Sequence, residues 1–354
     1  MALLMPELTD RCNFNCTFCR SQEQRGYRDI DFDKCIEVLR EAQNCNIYGN
    51  WFNEIQLNGN GESLLYARIA DVVREAKKLF DSVETTTNGY FLTEDIAEAL
   101  LNAGIDKLCI SLTGITTDVY SKFQGSGISL EQCEKNLDRV INNVIALVKK
   151  RNELNKKTLI VLRYIKSDDS RKHLKEYTRF WRKHGADAIF VTELWDFYRT
   201  KGKFKHCNFT PRRTTVRASG QVLLCACSLN STLNQNVYDK SFSKILQSEE
   251  YVEEKKRMMT NDENILTKSC FACQYRRYYP LRWDIKNMRE KIFLQKPLKN
   301  LLYKLYGPAV ILLDRLNYFK SFYTIWLFFL RITSNMRRRR FQKRIKNEFS
   351  DKSQ

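Results

Sequence analysis

Hydrophobic and polar positions in the first 195 residues follow two alternating periods. Short runs rich in apolar and β-branched residues predict β-strands at 53–58, 82–87, 105–112, 157–164 and 187–192. Between them, apolar residues recur every three or four positions, which predicts helices at 31–46, 66–80, 93–102, 130–151 and 173–184. This alternation, repeated about six times, predicts an α/β fold with a parallel sheet covered by helices. The pattern alone is compatible with both an open sheet and a barrel.

A loop with three cysteines follows the first apolar run of the chain. Cys12, Cys16 and Cys19 have the spacing C-x₃-C-x₂-C, and no fourth cysteine lies nearby. Three thiolates at this spacing can hold three irons of a [4Fe–4S] cube and leave the fourth iron open for a small molecule. Two alternatives remain open, namely a zinc site completed by another ligand and a chance cluster of buried, reduced cysteines.

This loop, with Phe18 directly before the third cysteine, resembles the signature of the radical S-adenosylmethionine (SAM) superfamily. The resemblance implies that the open iron binds the amino and carboxylate groups of SAM. It also implies that the reduced cluster cleaves SAM to a 5′-deoxyadenosyl radical, which abstracts hydrogen from a substrate. The implied fold is a partial (β/α)₆ barrel over residues 1–195, with the chemistry at the C-terminal ends of the strands. An electron donor such as flavodoxin or ferredoxin is the expected partner.

Further segments that follow predicted strands resemble SAM-binding positions of the superfamily. The sequence at 59–62 is similar to a Gly-Gly-Glu motif whose backbone and carboxylate receive the SAM ammonium group, although Asn60 interrupts the glycines and Ser63 replaces the usual proline. The segments 87–89 and 110–112 resemble the strand ends that line the SAM site. Arg163, near the end of the fifth strand, is predicted with equal weight to bind the SAM carboxylate or to form an exposed ion pair. The expected SAM-binding residues are Phe18, Gly59, Asn60, Gly61, Glu62, Asn88, Ser111 and Arg163.

A second set of cysteines lies beyond residue 200. Its predicted ligands, two of them flanking a predicted β-hairpin and two in a C-x₂-C turn, are Cys207, Cys225, Cys270 and Cys273. Four thiolates suit a closed site for zinc or for a [4Fe–4S] cluster. The C-x₁₂-G-x₄-C pattern resembles the opening of the SPASM auxiliary-cluster domain, and the incomplete later set of cysteines implies a shortened domain with one auxiliary [4Fe–4S] cluster. Cys227 is an alternative ligand to Cys225.

The remaining cysteines are assigned to the core, and the spacing of the cysteines beyond residue 200 argues against one related class of enzymes. Four cysteines on helix or strand patterns are predicted to be core residues, namely Cys35, Cys45, Cys109 and Cys133. Molybdenum-cofactor enzymes have a later C-x₂-C-x₁₃-C spacing, which in this chain would need a cysteine at position 287. That residue is Asn287, so the resemblance to those enzymes fails.

Glu193, Asp196 and Tyr198 leave the sixth strand where substrate is expected, so they are candidates for proton transfer. The alternative interpretation of these three residues is a capped linker.

The end of the chain is basic. Residues 281–354 carry 18 Lys/Arg and five Asp/Glu, so most of the net charge of +19 lies there. The uncharged run 321–330 is shorter than the ~20 residues of a spanning helix, and a four-arginine run follows it. We expect a helical tail that binds an anionic membrane surface, with an RNA-binding arm or a partner-binding helix as alternatives. No specific nucleic acid is predicted.

These observations predict three domains, a radical SAM core at 1–195, a SPASM-like domain at 196–280 and the basic tail at 281–354. The absence of an apparent signal peptide and the clustered C-x-x-C spacings favour a cytoplasmic protein, peripheral at the inner face of the membrane. The leading hypothesis is a radical SAM enzyme acting on a small or carrier-linked metabolite, such as a glycan precursor. The alternatives are a peptide-modifying maturase with a separate recognition partner, and a non-catalytic Fe–S or zinc protein that binds RNA.

Overall fold

The computed structural model of the chain describes residues 2–19, 22, 25–47, 49–194, 203–204, 212–225, 233–259 and 277–278. Its strands are β1 (Ala2–Pro6), β2 (Asn46–Ile47), β3 (Asn50–Gln56), β4 (Ser82–Thr87), β5 (Lys107–Ser111), β6 (Leu159–Lys166), β7 (Ala188–Glu193), β8 (Lys203–Phe204), β9 (Arg213–Val216), β10 (Val222–Leu223) and β11 (Arg277–Tyr278). Its helices are α1 (Phe32–Gln43), α2 (Ile69–Leu79), α3 (Glu94–Ala103), α4 (Thr117–Phe123), α5 (Leu130–Glu153), α6 (Asp168–Arg171), α7 (Leu174–Lys183), α8 (Phe242–Gln247) and α9 (Glu249–Met259). A short 3₁₀ helix spans Ser63–Leu65.

A parallel sheet organises the molecule. Strands β1, β3, β4, β5, β6 and β7 lie side by side in chain order, and each pairs in parallel with its neighbour. Because every connection steps in the same direction and such crossovers are right-handed, the intervening helices cover one face of the sheet. This singly wound order is the arrangement of the predicted partial barrel, and the mixed α/β fold with a parallel sheet is confirmed.

The two faces of the sheet carry separate apolar clusters. Leu108, Ile110 and Leu162 point toward the helices and belong to the main core. Cys109 and Val161, at the alternate positions, belong to a smaller cluster with Leu159 and Ala188. The period of two along each strand therefore sorts side chains between a helix-covered face and an inner face.

The predicted elements match the observed ones closely because their apolar periods are clear. The strand predicted at 82–87 coincides with β4, and α1 begins after Asp31, whose side chain accepts a hydrogen bond from the Lys34 backbone N–H. Cys35, Cys45, Cys109 and Cys133 are buried, as predicted. Helix α4 was not predicted.

The hairpin predicted around Gly220 is present, and it extends the parallel sheet. Strand β9 pairs in parallel with β1, and β10 pairs antiparallel with β9. Gly220 has φ +82°, a left-handed conformation that glycine adopts without strain. The structure thus joins this part of the segment 196–280 to the sheet of the preceding segment, which the sequence pattern did not indicate.

Several predictions concern residues outside the described part of the chain. These residues are Asp196, Tyr198, Cys207, Cys227, Cys270, Cys273 and the tail at 281–354. In the described ranges, the helices are all too short or too polar to cross a membrane.

Candidate functional site

The three-cysteine loop lies at the carboxyl edge of the sheet, between β1 and α1. Cys12, Cys16 and Cys19 are free, half-buried thiols. The backbone N–H of Cys19 donates to the Cys16 carbonyl at 3.0 Å, which forms a tight turn between the second and third thiols. The Gln22 amide donates to the same carbonyl at 2.7 Å. The loop is therefore fixed by its own backbone near the predicted ligands.

Two polar residues directly before Cys12 anchor this loop. The buried carboxylate of Asp10 accepts hydrogen bonds from the backbone N–H groups of Gly26 at 2.8 Å and Arg28 at 2.6 Å. Arg11 forms a two-point contact with Asp29, at 3.0 and 2.6 Å, and donates to the Leu65 carbonyl at 3.1 Å. Both ends of the loop that carries the cysteines are thereby held together.

Helix α4 supports the other side of the loop. The Thr17 backbone N–H donates to the Phe123 carbonyl at 3.0 Å, and the ring of Phe18 lies 6.4 Å from the Phe123 ring. The side chain of Gln124 accepts from the Thr113 backbone N–H and donates to the Ser111 carbonyl, both at 2.9 Å. The end of α4 thus joins the cysteine loop to the end of β5.

The thiols form a site that favours a cationic group. Burial, together with the neighbouring Cys12 and Cys19 thiols, raises the pKa of Cys16 to about 12. Burial likewise raises the pKa of Cys12. Ionising these groups together is unfavourable unless positive charge is supplied, as iron does when thiolates bind it. The donor set therefore fits an iron–sulfur cluster.

A separate observation concerns mononuclear metal sites. Within the described residues, no group of three His, Cys, Asp or Glu side chains is placed to hold a single metal ion. A cluster differs from such a site because its thiolates bind separate irons.

The segment at 59–62 packs directly against the cysteine loop, and its glycines make that approach possible. A Cβ atom at Gly61 would lie 2.4 Å from the Thr9 carbonyl oxygen and 2.5 Å from that of Arg11. A Cβ at Gly59 would lie 2.2 Å from the Glu7 carboxylate. The Glu62 backbone N–H donates to the Arg11 carbonyl at 2.7 Å. Gly61 therefore allows the two backbones to approach closely, and Gly59 leaves room for the Glu7 side chain.

The carboxylate of Glu62 is almost completely buried. It accepts hydrogen bonds from the Leu64 N–H at 3.0 Å, the Thr87 hydroxyl at 2.7 Å and the Asn88 N–H at 2.6 Å. Burial raises the pKa of Glu62, and these three bonds partly oppose the increase. In the described part of the chain, no basic side chain bonds to this carboxylate. The site thus combines a buried anion with backbone donors, which suits an incoming cation.

Asn88 connects the end of β4 to the cysteine loop. Its amide donates to the Asn13 side-chain oxygen at 2.8 Å, and its own side-chain oxygen accepts from the Tyr90 N–H at 2.9 Å. The adjacent Gly89 has φ +83°, which forms the turn out of the strand. The segments 59–62 and 87–89 and the cysteine loop are therefore joined by direct hydrogen bonds.

Ser111 and Arg163 are neighbours across β5 and β6. The guanidinium of Arg163 lies 6.0 Å from the centre of the Phe190 ring on β7. No ion pair of Arg163 is formed with another described residue, so the alternative of a strand-end ion pair gains no support there. Both residues lie on the inner face, because they alternate with the helix-facing Ile110 and Leu162.

Glu7 is a site residue that sequence reasoning missed. It follows β1, is buried, and accepts hydrogen bonds from the Asn60 N–H at 2.6 Å and from the Ala218 N–H at 3.2 Å. Burial raises the pKa of Glu7, while these bonds and the nearby Arg217 oppose the increase. A carboxylate between Pro6 and Leu8 at the end of an apolar strand was the signal available in the sequence.

The other predicted residues lie further from this site or outside the described residues. Glu193 ends β7, where only its backbone is described, and Asp196 and Tyr198 lie beyond the described part. Cys225 is buried directly after β10. Cys207, Cys270 and Cys273, its predicted partners, are outside the described ranges, so the auxiliary cluster stays a prediction.

Residues 7–177 match the family model described as the radical SAM superfamily. Among curated proteins, the chain is 28% identical over 204 residues to the tungsten-containing aldehyde ferredoxin oxidoreductase cofactor-modifying protein of Pyrococcus furiosus, covering 55% of this chain and 52% of that protein. It is 28% identical over 193 residues to a GTP 3′,8-cyclase of Limosilactobacillus fermentum, covering 52% of each. The chain thus spans about half the length of these relatives.

Solved structures share the fold at low sequence identity. Streptococcus suis SuiB bound to S-adenosylmethionine has a TM-score of 0.56 at 15% identity, covering 77% of this chain and 72% of SuiB. The structure of anSMEcpe with bound AdoMet has a TM-score of 0.56 at 13% identity, covering 88% of this chain and 98% of that one. These likenesses concern the fold alone. The family match carries the prediction at the level of the superfamily: residues 7–177 of this chain match the radical SAM domain.

Proposed function

We propose that this protein is a radical SAM enzyme that acts on a small or carrier-linked metabolite, such as a glycan precursor. The observation that supports this most is the convergence of separate segments at one edge of the sheet. The Asn88 amide contacts Asn13 of the cysteine loop, and its backbone N–H contacts Glu62. Gly61 lies against the backbone of the same loop. Residues far apart in sequence therefore surround one location at the carboxyl ends of the strands.

In this proposal, Cys12, Cys16 and Cys19 hold a [4Fe–4S] cluster. When bound, the reduced cluster supplies an electron that cleaves SAM, and the 5′-deoxyadenosyl radical so formed takes hydrogen from the substrate. Gly59, Asn60, Gly61 and Glu62 bind the methionine part of SAM from one side. Phe18, Asn88, Ser111 and Arg163 complete the SAM site.

Glu62 is the residue whose surroundings best support a role in binding SAM. Its carboxylate is buried and accepts only uncharged donors within the described residues. An ammonium group placed beside it would form a charge-assisted hydrogen bond and offset the cost of burial. The same bonds to Thr87 and Asn88 keep the carboxylate from turning away. Glu62 thus both organises the site and attracts the cation.

The direct test is product formation. Protein reconstituted anaerobically with iron and sulfide is mixed with SAM and dithionite, and 5′-deoxyadenosine is quantified by mass spectrometry. We expect slow formation by the wild type and none by the triple variant C12A/C16A/C19A. Cys45→Ala is the control, because that cysteine is buried outside the loop and its loss leaves the site intact. Equal product from the triple variant, or none from the wild type, contradicts the proposal.

An auxiliary [4Fe–4S] cluster on Cys207, Cys225, Cys270 and Cys273, in a shortened SPASM domain, is part of the same proposal. Two cubes correspond to about eight irons per chain. The triple variant C12A/C16A/C19A should keep about four irons, and Cys270→Ala/Cys273→Ala should remove the other four. A preparation that holds one zinc and one cube contradicts this part.

The substrate has a second candidate class. The structure of SuiB bound to the precursor peptide SuiA matches this chain with a TM-score of 0.57, and the match covers 71% of the SuiB chain. Structures of anSMEcpe with bound peptides share the fold as well. A peptide substrate with a separate recognition partner is therefore the alternative within the superfamily. Cell extract is treated with protease to remove peptides and is then added to the enzyme. A metabolite substrate survives this treatment and a peptide substrate does not, so turnover with treated extract separates the two classes. Glu193, Asp196 and Tyr198 are proposed to transfer protons to or from either substrate.

The basic tail is proposed to bind an anionic membrane surface. Each Lys or Arg held near such a surface contributes roughly 1 kcal/mol, and the aromatic run adds an apolar term. Full-length protein should sediment with anionic vesicles, less at high salt, and a chain ending near residue 300 should not. Binding to RNA with a steep salt dependence, in protein that ignores vesicles, favours the RNA alternative.

A further inference from the structure

Arg25 reaches across the cysteine loop to one of the predicted cluster ligands. Its Nη2 lies 3.5 Å from the Sγ of Cys19, and its Nη1 donates to the Phe14 carbonyl at 2.9 Å. The Nε atom is buried and has no hydrogen-bond partner among the described residues. The guanidinium is therefore held in one orientation, with one arm on the loop backbone and the other on a thiol.

Hydrogen bonds of the following residues position the segment that carries Arg25. The neighbouring Gly26 and Arg28 donate their backbone N–H groups to the buried carboxylate of Asp10, two residues before Cys12. A Cβ at Gly26 would lie 3.0 Å from that carboxylate, so the segment approaches Asp10 closely. Asp10 thus fixes the segment that places Arg25 beside Cys19.

A hydrogen bond to a ligand sulfur changes the energetics of electron transfer. One-electron reduction adds negative charge to the cluster and its sulfurs, and neither makes nor breaks a bond within the protein. A cationic donor on a ligand sulfur stabilises that added charge, and so raises the reduction potential of the cluster. Half-burial of Cys19 limits screening by solvent, which strengthens the effect.

We propose that Arg25 is a positioning residue that raises the reduction potential of the cluster held by Cys12, Cys16 and Cys19, through its contact with the sulfur of Cys19. The proposal rests on the cluster of the proposed function. It predicts that reduction by an external one-electron donor becomes harder when the guanidinium is removed. The loop offers a matched control in Arg28, an exposed arginine three residues away that has the same charge and no contact with Cys19.

The test is a reductive titration of reconstituted full-length protein, followed by electron paramagnetic resonance. The signal that changes when SAM is added is the one measured, so that a second cluster does not interfere. The proteins are the wild type, Arg25→Gln, Arg25→Lys and Arg28→Gln, each with its iron content determined. A wild type that gains no SAM-responsive cluster contradicts the proposed function itself, before any comparison of variants.

We expect Arg25→Gln to lower the ratio of reduced to oxidised cluster about tenfold at a fixed potential, a shift of about 59 mV for a one-electron couple. Arg25→Lys should lie between this variant and the wild type, because it keeps the charge but not the fork. Arg28→Gln should differ from the wild type by less than about twofold, since exposed charges are screened. A potential unchanged in Arg25→Gln, or an equal shift in Arg28→Gln, overturns the proposal. Loss of iron from both Arg25 variants but not from Arg28→Gln also overturns it, because Arg25 then only holds the loop together.

Discussion

The two edges of the parallel sheet use buried and half-buried acidic residues in different ways. At the amino edge, Asp187 forms an ion pair with Arg151 of α5 and accepts the Ile160 N–H at 2.8 Å. Asp106 likewise accepts from Lys77 of α2 at 2.7 Å and from the Val83 N–H at 2.8 Å. Both of these carboxylates therefore form an ion pair with a basic residue of the chain itself.

At the carboxyl edge, two buried carboxylates lack such partners among the described residues. Asp10 and Glu62 accept hydrogen bonds from backbone N–H groups and a hydroxyl, and neither bonds to a basic side chain in the described residues. The half-buried thiols of Cys12 and Cys16 lie at the same edge, with raised pKa values. Asp187 and Asp106 at the amino edge are paired within the chain, whereas at the carboxyl edge the proposed SAM ammonium group and cluster irons would supply the positive charge. Stability and function are thus separated between the two ends of the strands, as in related barrels.

The largest expected effect comes from removing the Arg151–Asp187 ion pair at the amino edge. Arg151→Met leaves the Asp187 carboxylate buried without its partner, which should lower the free energy of unfolding by about 3–5 kcal/mol. The double variant R151M/D187N should recover most of this loss, since both charges are then absent and the amide oxygen can still accept the Ile160 N–H. Urea denaturation measures both values.

The exposed pair Lys135–Glu131 provides the control for this prediction. Lys135→Met should change the free energy of unfolding by less than about 1 kcal/mol, because both side chains are largely in solvent. A loss of similar size at both positions would mean that the amino edge has no special role.

The next effect concerns contact between the loops of the carboxyl edge. Gly61→Ala brings a Cβ to 2.4 Å from the Thr9 carbonyl oxygen, so the 59–62 segment must move away from the cysteine loop. We expect SAM affinity, measured by equilibrium binding to reconstituted protein, to fall about 100-fold, or about 2.7 kcal/mol. Gly127→Ala is the control, since its Cβ meets no atom within 4 Å although φ is +83°. Equal affinities for the two variants would exclude the packing argument.

Glu62→Gln tests the uncompensated carboxylate itself. The amide has only one acceptor oxygen for three donors and carries no charge for the SAM ammonium group, so SAM affinity should fall at least about tenfold. Iron content should be unchanged. Glu54→Gln on β3 is the matched control, because burial also raises the pKa of Glu54 but that residue lies outside the loop. Loss of iron from the Glu62 variant would place this residue in the cluster site instead.

The smallest effect is on cluster assembly. Iron binds thiolates, and burial together with the neighbouring thiols raises the pKa of Cys16 to about 12, so a proton must leave during assembly. Raising the pH from about 7 to 8.5 increases the thiolate fraction. The initial rate of iron uptake should therefore rise several-fold, as followed by visible absorbance. A rate independent of pH would indicate that proton release from these thiols does not limit assembly.

The sequence predicted the parts of the molecule that depend on local patterns. The period of apolar residues located β4 within its observed bounds, and the cysteine spacing located the loop. Contacts between distant segments could not be predicted in this way. Glu7 meets Ala218 across 211 positions of sequence, and the end of α4 joins Thr17 to Ser111, which lie on different segments. These contacts depend on strand order, which the periodicity of single segments does not specify.

The sequence also could not show why Gly59 and Gly61 are glycines. The resemblance assigned these positions to SAM binding, while the structure shows that Gly59 and Gly61 face Glu7 and the backbone of the cysteine loop. Their small size is thus explained by packing between two loops of the chain. A motif read from sequence gives the position of such residues, and the packing gives the physical cause.

A crystal structure of the reconstituted protein with SAM, grown without oxygen, tests the account most directly. The account predicts a [4Fe–4S] cluster on Cys12, Cys16 and Cys19, with the methionine ammonium of SAM beside Glu62 and the 59–62 backbone. A cluster held by other cysteines, or SAM bound away from the carboxyl edge of the sheet, would contradict it.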